Sequence, residues 1–133
     1  MLLQVVPIYR LSNPVVTSEP GWDRPETRLL AKRACFDCHS NETVWPWYAD
    51  IGTIKWFVVR DVEEGRAAFN FSEWHSGDIS AESAVKMIST GRMPLLQYLL
   101  LHPEARLSEA EKQSLIDGLL ETCLLYTSPS PRD

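Results

Sequence analysis

Cys35-Phe36-Asp37-Cys38-His39 is the stretch whose reading decides the fold. It is a single C-x-x-C-H word, the pattern of covalent c-type haem attachment. Two thiols two residues apart can add to the two vinyl groups on one edge of a porphyrin. The next residue, His39, then lies under the ring and offers an imidazole nitrogen to the iron. The motif predicts Cys35 and Cys38 as cofactor-binding residues, His39 as a metal ligand, and a fold organised around one haem.

Outward from the motif, the patterns are helical. Pro25 suits a first helical turn, with Asp23 as its cap, and a short helix is expected over residues 26–35. Residues 40–50 read as a loop carrying Trp45-Pro46-Trp47-Tyr48. Ile51, Ile54, Val58 and Val62 recur at helical spacing, so residues 53–69 are expected to be a helix despite a strand-like composition. Residues 70–74 read as a turn. Ser80 is expected to cap a helix over 81–90 with an apolar stripe of Ala81, Ala84, Val85 and Ile88, stopped by Gly91 at its C-terminal end. A further helix is expected over 95–101, ended by Pro103. Ser108 and Glu111 form a capping box for a last helix, whose buried face is Leu115, Ile116, Leu119 and Leu120. The fold class is all-α: a small cytochrome c-like bundle of four or five short helices around one covalent haem.

The two ends read differently from the middle. Cys123-Leu124-Leu125-Tyr126-Thr127-Ser128-Pro129-Ser130-Pro131-Arg132-Asp133 resembles a translated transposase adapter from a sequencing library. Residues 123–133 are therefore expected to be a non-native tail, with a natural disordered tail as the alternative. The domain is then residues 20–122, with a natural continuation past Thr122, and Cys35 and Cys38 are its cysteines. Residues 1–19 read as an extended arm rich in proline. Its apolar start, Met1 to Ile8, is too short to span a bilayer. It is read either as the remnant of a membrane anchor or as an ordered arm packing on the domain.

The chain has 13 Lys and Arg against 18 Asp and Glu, a net charge of −5. No basic stripe is visible, so nucleic acid is not an expected partner. A core this small is marginal alone, and a haem would supply an apolar plate to pack against. Nothing resembles a nucleophile–base pair or a phosphate-cradling glycine loop, so no enzyme is expected.

An electron-transfer haem takes a second axial ligand, commonly Met or His. Met87, Met93, His75 and His102 are the candidates, and Met93 is preferred. It follows a helix stop in Gly91-Arg92-Met93-Pro94, and Pro94 biases residue 93 toward an extended conformation. Met87 reads as core, His75 as exposed, and His102 as the second choice. Trp45, Trp56 and Trp74, together with Trp47, are candidates for the pocket wall, against ordinary core aromatics as the alternative. Arg66 and Asn70 are candidates for the haem propionates, against a solvated arginine and a helix-ending asparagine.

Cys35 to Thr43, Trp45-Pro46-Trp47-Tyr48, Asp61-Val62, Gly65-Arg66 and Asn70-Phe71-Ser72 resemble the small haem-binding domain family of bacterial c-type haem proteins. Gly91-Arg92-Met93-Pro94, Tyr98, His102-Pro103 and Leu107-Ser108 continue the likeness, which covers residues 20–122. The resemblance implies one covalent haem c, an exported or periplasmic location and, often, an N-terminal membrane anchor. It carries Cys35, Cys38 and His39 over as haem ligands and suggests Met93 as the distal one. Arg92 departs from the family pattern, where an acid is common.

The leading expectation is a monomeric extracytoplasmic electron carrier with a redox partner protein. A haem-based sensor, in which Met93 is displaceable or absent from the iron, is the nearest alternative. A zinc module using Cys35, Cys38 and two of His39, His75 and His102 lacks a second close ligand pair. A dithiol of the thioredoxin kind lacks its βαβ surroundings.

Overall fold

The computed structural model describes residues 11–74 and 81–127, and the bundle is all-α. Six α-helices occur among these residues: α1 (Pro25–Ala34), α2 (Phe36–His39), α3 (Gly52–Ala68), α4 (Ala81–Ser89), α5 (Leu96–Leu101) and α6 (Glu109–Thr127). Two short 3₁₀ turns, Trp47–Asp50 and Pro103–Ala105, complete them. The expected count of four or five is exceeded because Cys35, at φ −125° and ψ −32°, interrupts the first helix. The motif then winds a separate turn, α2.

Helix starts follow local chemistry, with one correction. Arg24, not Asp23, occupies the N-cap position of α1, without a side-chain capping bond, and Pro25 opens its first turn. Asp23 instead accepts from Thr27 Oγ1 at 2.5 Å and Thr122 Oγ1 at 3.2 Å, tying the start of α1 to α6. Ser108 and Glu111 form the reciprocal box at the start of α6. Glu111 N donates to Ser108 Oγ at 3.1 Å, and Ser108 N donates to Glu111 Oε1 at 2.9 Å. Gly91 takes a left-handed φ of 77° just past α4, where a Cβ would be strained. Ser80 lies outside the described residues.

α6 packs on α1 and on α4, and α3 packs on α2. The solid core joins Leu115, Ile116, Leu119 and Cys123 of α6 to Ala31, Ile88 and an aromatic block. In that block Phe71 stacks on Phe36 at 5.5 Å and on Trp74 at 5.5 Å between ring centres. Leu120 was expected in the buried face but is 40% exposed. The stripe instead advances to Thr122 and Cys123, both buried, and α6 continues to Thr127. At Gly118 a Cβ would lie 2.6 Å from Thr27 Cγ2, so glycine permits the close crossing of α1 and α6.

The arm is bound where it is described. Thr17 N and Ser18 N both donate to Ser72 O, at 2.8 and 3.0 Å. Trp74 N returns a bond to Ser18 O at 3.2 Å. This short parallel pairing fixes residues 17–18 against 72–74. Among the described residues no helix is long and apolar enough to cross a membrane.

Candidate functional site

α1 ends with Cys35 N donating to Ala31 O at 2.7 Å, and α2 begins with His39 N donating to Cys35 O at 2.9 Å. One helical turn therefore separates Cys35 from Cys38 and His39. Residues three and four apart share a helix face, so the two thiols and the imidazole point to one side. That side is the wall of a cavity of about 1320 Å³. Ligand sites commonly hold 300–1,000 Å³, so this one has room for a large flat group.

α3 supplies a second wall. Ile54, Phe57, Val58, Asp61, Gly65 and Ala68 are among its residues that line the cavity. Val62 lines it too and, with Val59, is buried. Ile51 and Ile54 are 46% and 42% exposed. Gly65 lets α3 reach α2: a Cβ there would lie 2.9 Å from both the carbonyl carbon and the Cβ of Cys38.

The imidazole is held by the same approach. His39 Nδ1 lies 2.8 Å from Gly65 O and 3.2 Å from Phe69 O. A carbonyl can only accept, so Nδ1 carries the proton and Nε2 keeps its lone pair. The ring stacks on Phe69, 4.0 Å away and 4° from parallel. Burial outweighs these bonds and holds the His39 pKa below its ordinary value, which keeps the ring neutral. A neutral ring with its second nitrogen oriented by a carbonyl is the state a metal ligand requires.

Residues 70–72 brace the motif from behind. Phe71 N donates to His39 O at 2.7 Å, and Asn41 N donates to Ser72 Oγ at 2.8 Å. Burial, then the neighbouring Cys38, pushes the Cys35 thiol up to about 12. Burial, then Asp37 and Asp61, does the same to Cys38, to about 12. A reactive dithiol needs a lowered thiol pKa, so the pair does not suit disulfide exchange.

Both methionine candidates, Met87 of α4 and Met93 just beyond it, line the cavity as well. Met93 N and Arg92 N both bond to Met87 O, at 3.1 and 2.9 Å, closing the turn that delivers Met93. The Met93–Pro94 peptide is cis. Tyr98, Leu99 and Leu101 of α5, and Leu115 and Leu119 of α6, also line it.

A family model described as a haem-binding domain matches residues 1–121. The chain belongs to that haem-binding domain family. Comparison with curated proteins and with solved structures found no match. The donor set fits a haem: two thiols and a neutral imidazole on one helix face, a methionine-bearing wall, and an apolar cavity between them.

In this haem-binding domain, Cys35, Cys38, His39, Met93 and Trp74 line one cavity, as do Trp47 and His102. Four other candidates lie outside it. Trp45 donates its indole N–H to Asn13 Oδ1 at 3.1 Å and sits under the Arg66 guanidinium. Trp56 packs edge-on to Phe57, beneath Arg60. Arg66 donates to Ser40 O at 2.8 Å and to Thr43 Oγ1 at 3.0 Å, pinning α3 to the loop after the motif. Asn70 donates to Asn41 Oδ1 at 2.8 Å and accepts from Ser72 N at 2.8 Å, within the brace behind His39. Their polar groups serve the scaffold, not the cavity wall.

The zinc alternative is not supported. Among the described residues no three or more His, Cys, Asp or Glu side chains are gathered as a metal cage. His102 is engaged by Tyr48 and Glu104, and His75 lies outside the described residues. Sequence reading passed over Gly65 and Phe69. A glycine inside a long helical run, five residues before the expected turn, was the available sign of a close crossing.

Proposed function

We propose that this domain holds one haem c through thioethers to Cys35 and Cys38, with His39 and Met93 as axial ligands, and passes single electrons to and from a partner protein. The observation that carries this reading is His39. Its Nδ1–H is committed to Gly65 O at 2.8 Å, on the helical turn that bears both thiols. When haem is bound, Cys35 and Cys38 would hold it by adding each S–H across a vinyl double bond, sulfur to one carbon and hydrogen to the other. Haem supplies the one-electron couple when bound. The chain's own residues fix the ring, exclude water with α3 and α6, and hold Nε2 ready. No side chain of this chain makes or breaks a substrate bond in such a role. Methionine opposite histidine raises the potential relative to two histidines.

Thioether attachment and the resemblance noted above favour an exported, periplasmic domain, a redox protein as partner, a monomeric state and, in the longer protein, a membrane anchor. A sensor reading keeps the same attachment and gives Met93 up to an incoming ligand. It draws support from α5, none of whose residues is buried.

The test is a pyridine haemochrome spectrum of protein made with haem-maturation machinery in an oxidising compartment, after acid–acetone extraction. Retained haem with the c-type spectrum is expected. Haem that washes out entirely overturns covalent attachment. Reversible one-electron titration, with no carbon monoxide binding to the reduced protein at neutral pH, is expected of a carrier, and rapid binding identifies a sensor.

A further inference from the structure

One polar cluster in the cavity wall has no part in attachment. Tyr98 of α5 donates its hydroxyl to Asp37 Oδ2 at 2.6 Å. Asp37 lies between the two motif cysteines and is itself fixed. Its Oδ1 accepts from Val44 N at 3.0 Å, and its carbonyl accepts from Thr43 Oγ1 at 2.7 Å. The Tyr98 ring stacks on His102, 4.1 Å away and 10° from parallel. His102 Nδ1 lies 3.1 Å from Glu104 Oε2, and its Nε2 lies 2.7 Å from the Tyr48 hydroxyl.

α5 needs such ties. None of its six residues is buried, and Leu96, Leu100 and Leu101 are 70%, 64% and 60% exposed. Apolar packing therefore does little to hold it. A hydroxyl donating to a carboxylate makes a short bond about twice as strong as a neutral one. Tyr98 stands five residues after Met93, with Pro94 and Leu95 between Met93 and α5. Wherever Tyr98 is held, the reach of Met93 is held within five residues of it.

We propose that Tyr98 is a positioning residue: its bond to Asp37 clamps α5 to the haem-attachment turn and so keeps Met93 on the iron. The proposal rests on the reading of Met93 as the distal ligand. The proximal turn thereby fixes both sides of the haem, His39 by its own side chain and Met93 through Asp37 and Tyr98.

The test compares the matured holoprotein with Tyr98→Phe, Asp37→Asn and Asp37→Ala. Three quantities are read: covalent haem content, the near-infrared charge-transfer band of methionine on ferric iron, and the rate of carbon monoxide binding to the ferrous form. Tyr98→Phe is expected to keep its haem content, lose most of the band and bind carbon monoxide about tenfold faster or more, as the loss of a charge-assisted bond would give. Asp37→Asn keeps one acceptor oxygen but loses the charge and turns an NH₂ toward Val44 N or Tyr98, so it should fall between the parent and Tyr98→Phe, whereas Asp37→Ala should resemble Tyr98→Phe. An unchanged band and rate in Tyr98→Phe overturns the clamp and leaves Met93 as ligand. A parent without the band removes Met93 as ligand and the clamp with it. Should Tyr98→Phe fail to accumulate, the Asp37 pair decides, and a full band in Asp37→Ala refutes the proposal.

Discussion

Gly65→Ala is expected to damage both the fold and the haem site. On helix propensity alone the change should help, by about 1 kcal/mol. The crossing with α2 reverses the sign. The new Cβ would lie 2.9 Å from the Cys38 carbonyl carbon and closer still to its oxygen. These are backbone atoms of the motif and cannot swing aside. Overpacking of this kind costs about 1–3 kcal/mol. If α3 retreats, the 2.8 Å bond from His39 Nδ1 to Gly65 O stretches as well. A buried donor left short of its acceptor costs about 1–3 kcal/mol more. Net destabilisation is then about 1–5 kcal/mol, a fall in Tm of roughly 4–20 °C for a domain of this size. Thermal melts by circular dichroism, with haem content measured on the same preparations, provide the assay. Glu63→Ala, at an exposed position of the same helix, serves as control and should stay within about 0.5 kcal/mol. A Gly65→Ala protein that melts at or above the parent with full haem content would refute the reasoning.

Gly118→Ala should destabilise by about 1–3 kcal/mol, because its Cβ meets buried Thr27, 2.6 Å from Cγ2. Adding Thr27→Ala should recover part of that loss, which a double-mutant cycle would measure. Ser108→Ala removes the acceptor for Glu111 N and should cost about 1 kcal/mol in urea melts. Acid should weaken the fold through Glu19 and Asp23. Burial opposes their ionisation, but hydrogen bonds from Arg28 and Trp22 to Glu19, and from Thr27, Arg24 and Thr122 to Asp23, win and lower both pKa values. Groups with a depressed folded pKa contribute above the unfolded value and lose that contribution as pH falls through the folded one. Stability attributable to them should be constant above about pH 6 and fall below the ordinary values of 4.5 and 3.8, and Glu19→Gln should flatten that slope.

Local signals carried most of what the sequence could disclose. The C-x-x-C-H spacing, the Ser108–Glu111 box and Gly91 each act within five residues, so their structural meaning is written in adjacent letters. Facing is another matter. Ile54 and Val58 show the right period, but whether that stripe meets core or cavity depends on where α2 lies. Trp45 and Trp56 are large and apolar, and nothing in their neighbourhoods distinguishes a pocket wall from a surface seat beneath an arginine. Arg66 looks equally suited to a propionate or to Ser40 O; the fold supplies the second partner. The bond between Asp37 and Tyr98 spans 61 residues and leaves no periodic trace. Cys123 follows the break in composition yet packs in the core, because the helical stripe of α6 runs on through it.

The pairing of the arm with residues 72–74 has a mechanical consequence. Ser72 receives the arm through its carbonyl and holds Asn41 through its hydroxyl, while its neighbour Phe71 grips the main chain of His39. Tension arriving along the polypeptide at residue 17 is therefore delivered within a few bonds to the backbone that carries the imidazole. Nε2 of that imidazole therefore keeps a set bearing relative to the point where the chain enters, and any group it held would inherit that compass direction.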